Sequence, residues 1–268
     1  MLSDDSLLEI FSFYLDLVQR YPGASETEAW HTLVHVCRRW RNVVFGSPRR
    51  LNLQLNCTAK KRVRKMLDIY PDLPIFVRHY HPPTLGMDNI VATLEHNDRV
   101  REIDLWLVGS SQFEEIVPAM QERFPALTVL KLRSTMELEQ VLPDSFLGGS
   151  APRLQSLWLG CVPFPRLPKP LLSARDLVDL SLWDIPLSGY ISLDSMFTSL
   201  SASTRLEKIA LAFLSRQPHP NLESRCTPTS PRSFPRSSVL FVQRDPRIHG
   251  LRILDRCPST QPHGYILF

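Results

Sequence analysis

Apolar positions recur along the chain with two periods in turn. From Ser3 the period is helical: Leu7, Leu8, Ile10, Phe11, Tyr14, Leu15 and Val18 follow at spacings that keep to one side of a helix and then widen around it. Ser3 caps this predicted helix, Asp4 and Asp5 suit its positive end, and Tyr21-Pro22-Gly23 terminates it. Ser25-Glu26-Thr27-Glu28 has the S-x-x-E form of a capping box. It opens a second predicted helix, carried by Trp30, Leu33, Cys37, Trp40 and Val44 and stopped at Gly46-Ser47-Pro48. Cys37 reads here as a small apolar residue on the buried stripe.

Beyond Pro48 strand and helix patterns alternate. Five segments fit L-x-x-L-x-L when Val and Ile count as Leu: Val100/Ile103/Leu105, Leu127/Leu130/Leu132, Leu154/Leu157/Leu159, Leu177/Leu180/Leu182 and Leu206/Ile209/Leu211. Their middle positions are 27, 27, 23 and 29 residues apart. Two weaker members, Leu51/Leu53/Leu55 and Leu73/Ile75/Val77, precede them. Helical stripes lie between: Val63-Met66-Leu67-Tyr70, Ile90-Val91-Leu94, Phe113-Ile116-Val117-Met120-Phe124 and a weaker Ile191-Met196-Phe197-Leu200. Strand followed by helix at this period is the signature of a leucine-rich solenoid, although a short mixed α/β sheet shares part of the pattern. The Asn or Cys of the standard repeat is mostly missing, with Cys161 the one approximate survivor. The predicted fold class is therefore an α/β repeat: a helical module over residues 1–48 and a short irregular leucine-rich-repeat solenoid over 49–214.

Past Leu214 the period vanishes. Residues 215–268 hold eight Pro, eight Arg and seven Ser, which predicts a disordered tail. A changed reading frame, a retained intron and an acquired unstructured extension would each leave such a break.

Composition narrows the function. There are 41 Leu and 23 Pro against 10 Gly, and so few glycines argue against phosphate-cradling loops. The net charge of +4 is uneven: the tail carries eight Arg and three acids, or +5, so the first 214 residues carry −1. A neutral body argues against nucleic-acid binding through a broad positive face. No apolar run reaches membrane-spanning length, and the first residues are acidic rather than basic, so neither a membrane span nor a signal peptide is expected. Five scattered cysteines suit a reducing compartment, cytoplasmic or nuclear.

No catalytic constellation emerges. His31 and His35 stand one helical turn apart, but Thr32 occupies the place of the glutamate in the zinc-protease motif and no third ligand follows. His79 and His81 form an isolated pair near a turn. Gly148-Gly149 reads as a turn, and Lys60-Lys61-Arg62-Val63-Arg64-Lys65 as a solvated helix face. We therefore expect a non-catalytic protein with no metal and no cofactor. The repeat pattern does suggest a binding surface. Residues flanking the last leucine of each strand leave the core, which places Trp106, Lys131, Arg133, Trp158 and Trp183 together, and Trp and Arg dominate interface hot spots.

The N-terminal module resembles the F-box. Leu2, Leu7, Leu8, Glu9, Ile10 and Phe11 match its opening leucine-rich helix ending in Ile-Phe. Leu33, Val36, Cys37, Arg38, Trp40 and Pro48 match its later Val-Cys-Arg-x-Trp element. Ser3 replaces the usual proline, and Asp16 to Ala29 is longer than the family's connection. That lengthening, followed by irregular leucine repeats, is similar to the large F-box families of basidiomycete fungi. The resemblance implies docking on a Skp-family adaptor and, through it, a cullin-based ubiquitin ligase. It assigns adaptor contact to Leu2, Leu7, Leu8, Ile10, Phe11, Leu33, Val36, Cys37 and Trp40, and makes the Trp and Arg surface a site for a protein client. The alternative is a leucine-rich-repeat scaffold or inhibitor with no ligase link. One prediction follows from the tail composition: limited proteolysis of the purified chain cuts first between Ser215 and Val239, read by mass spectrometry of early fragments. A tail that resists cleavage refutes it.

Overall fold

The computed structural model describes residues 2–20, 29–59, 63–70, 73–80, 86–134, 138, 140–164, 169–185, 203–213, 238–245 and 250–258. The first helix, α1 (Asp4–Arg20), starts as its sequence dictates: the Ser3 hydroxyl accepts the Ser6 N–H at 3.1 Å, with Asp4 and Asp5 in the first turn. It buries Leu7, Leu8, Phe11 and Leu15.

The second predicted helix is in fact two, α2 (Ala29–Val34) and α3 (Arg38–Gly46). Cys37 breaks it. Its backbone is extended (φ −158°, ψ 171°), and its thiol accepts the Trp40 N–H at 3.5 Å, capping α3. The Cys37 side chain is exposed, not part of a buried stripe. The break lets Leu33 and Val34 on one side of it, and Val43 and Val44 on the other, reach the core. It also turns Trp40 onto Phe11, ring centroids 4.7 Å apart. The capping box at Ser25–Glu28 lies outside the described residues.

Strands and short helices then alternate: β1 (Leu55–Cys57), α4 (Val63–Ile69), β2 (Ile75–His79), α5 (Met87–Leu94), β3 (Val100–Leu107) and α6 (Ser110–Ile116). A 3₁₀ turn at Ala119–Gln121 leads to β4 (Val129–Ser134), and another at Phe146–Gly149 to β5 (Ser156–Gly160). Then come α7 (Lys169–Ser173), β6 (Asp179–Ile185) and β7 (Lys208–Phe213). These seven strands are parallel, and each pairs only with its neighbours in the chain. The molecule is thus a mixed α/β fold on a seven-stranded parallel sheet. The helical stripes at Val63, Ile90 and Phe113 become α4, α5 and α6; the fourth, Ile191–Leu200, and Lys60–Arg62 of the basic run fall outside the described residues.

The register matches the spacing in the sequence. Ile103, Leu130, Leu157, Leu180 and Ile209 stand directly opposite one another across five strands, and so do Leu105, Leu132, Leu159, Leu182 and Leu211. Both rows are buried, in one core with Phe113, Ile116, Met120 and Phe124 from the α6 region. That core continues into α1, α2 and α3. At the joint, Trp30 of α2 donates its indole N–H to the Gln54 carbonyl at 3.1 Å and meets Tyr70 edge-on at 5.2 Å and Phe45 at 5.9 Å. Exposed pairs Arg39–Asp4 and Arg50–Asp5 span the helical module, each worth at most about 1 kcal/mol.

The tail reading needs correction over two stretches, while 215–237, 246–249 and 259–268 lie outside the described residues. Within 215–268 two strands, β8 (Ser238–Asp245) and β9 (Gly250–Pro258), extend the sheet from β7 as an antiparallel hairpin. Val239, Phe241, Val242 and Ile253 favour strands, and the free edge of β7 offers unpaired backbone groups. The richness of the region in Pro, Arg and Ser masked these two short runs. Among the described residues no helix is long and apolar enough to cross a membrane. Because Leu157 is the centre of its row and 3% exposed, Leu157→Ala is expected to lower unfolding free energy by about 2–5 kcal/mol, measured by denaturant titration.

Candidate functional site

With the leucines turned inward, alternate residues of the same strands form a second, half-buried face. The register sets them in rows. Arg78, Asp104, Lys131, Trp158 and Ser181 occupy one row across β2 to β6. Trp106, Arg133, Gly160 and Trp183 occupy the next. All five residues singled out from the sequence, Trp106, Lys131, Arg133, Trp158 and Trp183, therefore share this face.

Its centre is a stack. The Arg133 guanidinium lies 4.5 Å from the centre of the Trp158 ring and 6.0 Å from that of Trp106. Such contacts are worth about 0.5–1 kcal/mol each at exposed sites and more as water is excluded. Gly160 makes the stack possible. A Cβ there would overlap Cη2 and Cζ3 of the Trp158 indole, which lies along its own strand over the glycine.

Beside the stack a buried carboxylate is compensated. Asp104 is 4% exposed; Tyr80 donates its hydroxyl to Oδ2 at 3.0 Å, and Lys131 Nζ stands 3.7 Å from the same oxygen. Oδ1 has no hydrogen-bond partner among the described residues. Burial, then the charge of Asp104 and the hydrogen bond to it, push the Tyr80 hydroxyl up to about 12. In the same row as Asp104, Arg78 donates through Nε at 3.2 Å to Glu102, two residues back on β3, and packs 5.7 Å over Phe76. His79 points the other way, into the leucine core, where burial lowers its pKa. Among the described residues no group of three or more His, Cys, Asp or Glu side chains is placed to hold a metal ion. The arrangement suits non-covalent recognition: flat apolar walls, one stacked cation and satisfied charges around them.

The expected adaptor residues divide. Leu7, Leu8, Phe11 and Leu33 lie in this chain's own core, between 0% and 6% exposed, and Trp40 is half-buried against Phe11. They need no partner from outside, because α2 and α3 already pack against that side. Leu2, Ile10, Val36 and Cys37 are exposed. Sequence reasoning missed Phe13 and Leu17, 71% and 45% exposed, although their spacing from Ile10 was the signal. It also missed Tyr80 and Arg78, which the alternation Phe76-Arg78-Tyr80 after a weak repeat would have placed. The seat at Gly160 had no sequence signal.

A pH prediction follows. A tyrosine whose folded pKa is raised stabilises the fold below its ordinary value of 10.0, and that contribution disappears as pH climbs towards about 12. The ultraviolet difference titration between wild type and Tyr80→Phe is expected to place the Tyr80 phenolate transition near pH 12, and Asp104→Asn is expected to lower it. A transition near 10.0 in wild type refutes the Tyr80–Asp104 pairing in solution.

Comparison of the chain with protein-family models, with curated proteins and with solved structures finds no match.

Proposed function

We propose that this chain is the substrate-recognition subunit of a Skp–cullin–F-box ubiquitin ligase, a non-catalytic protein with two binding surfaces. In this reading residues 1–48 are an F-box-like module and the strands after it an irregular leucine-rich-repeat solenoid whose second face holds a protein client.

One observation carries the adaptor surface. Helix α1 has two apolar sides. Leu7, Leu8, Phe11 and Leu15 face inward, whereas Ile10, Phe13 and Leu17, spaced at three and four residues and joined by Leu2 upstream, are exposed. Single exposed hydrophobics are ordinary, but a continuous stripe along one helix is the mark of an interface, and an apolar helix face suits a partner's groove. Val36, 56% exposed in the turn before α3, adds a further apolar group. This stripe takes the place of the buried leucines that the F-box resemblance pointed to.

The test separates docking from folding. Ile10→Asp with Phe13→Asp places two charges on the outward stripe and is expected to abolish co-purification with a recombinant Skp-family adaptor while leaving the melting temperature near wild type. Leu8→Asp, at a position 6% exposed, is expected instead to destabilise the chain. A folded double variant that keeps wild-type adaptor affinity overturns the reading, and so does wild-type protein that fails to bind the adaptor.

A further inference from the structure

On strands β2 to β5 the charges of the second face are paired, with one exception. Glu102 holds Arg78 and Asp104 holds Lys131. Arg133 has no carboxylate partner among the described residues, and its Nε is buried without a hydrogen bond. Its contacts are the two indoles, 4.5 and 6.0 Å from the guanidinium carbon. Stacking occupies the faces of a guanidinium; its N–H donors radiate in the plane and stay available to an acceptor. A half-buried cation without an acceptor costs stability, and the fold places it between two tryptophans all the same.

We propose that the Trp106–Arg133–Trp158 stack is a carboxylate-reading pocket for a single Asp or Glu side chain within an extended segment of a protein partner. This deepens the reading of the second face as a client surface and rests on it. The charge balance selects the ligand. One uncompensated guanidinium matches one negative charge, and its planar fork matches a carboxylate with two parallel hydrogen bonds. A phosphate dianion would bring a second charge beside Glu102 and Asp104 of the neighbouring strand, with Arg78 and Lys131 already engaged. The indoles supply walls for the residue next to the acidic one. Gly160 holds the Trp158 ring in position, because any side chain there would displace it.

The experiment uses the full chain and synthetic peptide pools of about twelve residues. The central position is fixed as Glu, Gln or phosphoserine, and the others are drawn at random from uncharged residues. The Glu pool is expected to be retained about tenfold more than the Gln pool, a typical gain for one charge-assisted contact. Arg133→Gln is expected to bring the Glu pool down to the Gln level. Arg133→Lys, which keeps the charge and removes the fork, is expected to lower it several-fold and serves if the glutamine variant fails to fold. Gly160→Ala is expected to weaken every pool by dislodging Trp158. Equal retention of Glu and Gln, a Glu preference that Arg133→Gln or Arg133→Lys leaves at its wild-type size, or stronger retention of phosphoserine overturns the proposal. No adaptor takes part in this assay. Peptide preference without adaptor binding would sink the ligase reading alone, and adaptor binding without peptide preference would sink the pocket alone.

Discussion

The parallel register of five strands is the constraint on which the rest depends. With Ile103, Leu130, Leu157, Leu180 and Ile209 in one row, every leucine faces the helices and every intervening residue faces away. Side chains alternate with a period of two, so a slip of one residue in any strand would exchange its two faces. Trp158 and Arg133 would enter the core, and the leucines on either side would meet water. Burial of each leucine stabilises the correct register by roughly 1.5–3 kcal/mol relative to exposure, and several act together in each strand. Local choices and the global arrangement therefore agree, and the surface chemistry is a by-product of how the core is packed.

The second face shows what polar residues cost in a sheet whose other side is largely apolar. Asp104 is nearly as buried as the leucines, and it is tolerated because Tyr80 and Lys131 meet one of its oxygens. Arg78, in the same row, is met by Glu102 from the next. Trp158 needs no polar partner to be fixed. Its ring is held by the absence of a side chain two residues on, at Gly160. Glycine is used here for space rather than backbone freedom.

Much of the strand arrangement was legible because the signal is periodic. The repeat spacing located β3 to β7, and the helical stripes located α4 to α6. What failed was what periodicity cannot express. The spacing from Trp30 to Val44 fits one helix as well as two, and only the cap made by the Cys37 thiol decides for two. The hairpin β8–β9 was hidden because its strand-forming residues are outnumbered by Pro, Arg and Ser in the same span. At the candidate sites the same logic holds. Alternation placed the tryptophans and Arg133 correctly on one face, whereas a match of residue types to a motif could not say which of α1's leucines face inward. Burial separates Leu7, Leu8 and Phe11 from Ile10 and Phe13, and burial depends on what α2 and α3 cover.

The joint at Trp30 has a consequence for reach. Its indole bonds the backbone just before β1 and packs on Tyr70 and Phe45, so the helices and the sheet share one core with no hinge between them. Anything gripped by α1 and anything gripped by the sheet are then held at a set bearing and span. A flexible tether would let two such ligands sample many separations at a low effective concentration of each about the other. A stiff joint instead behaves as a caliper: it favours those parts of a bound partner that lie at its own opening and passes over the rest.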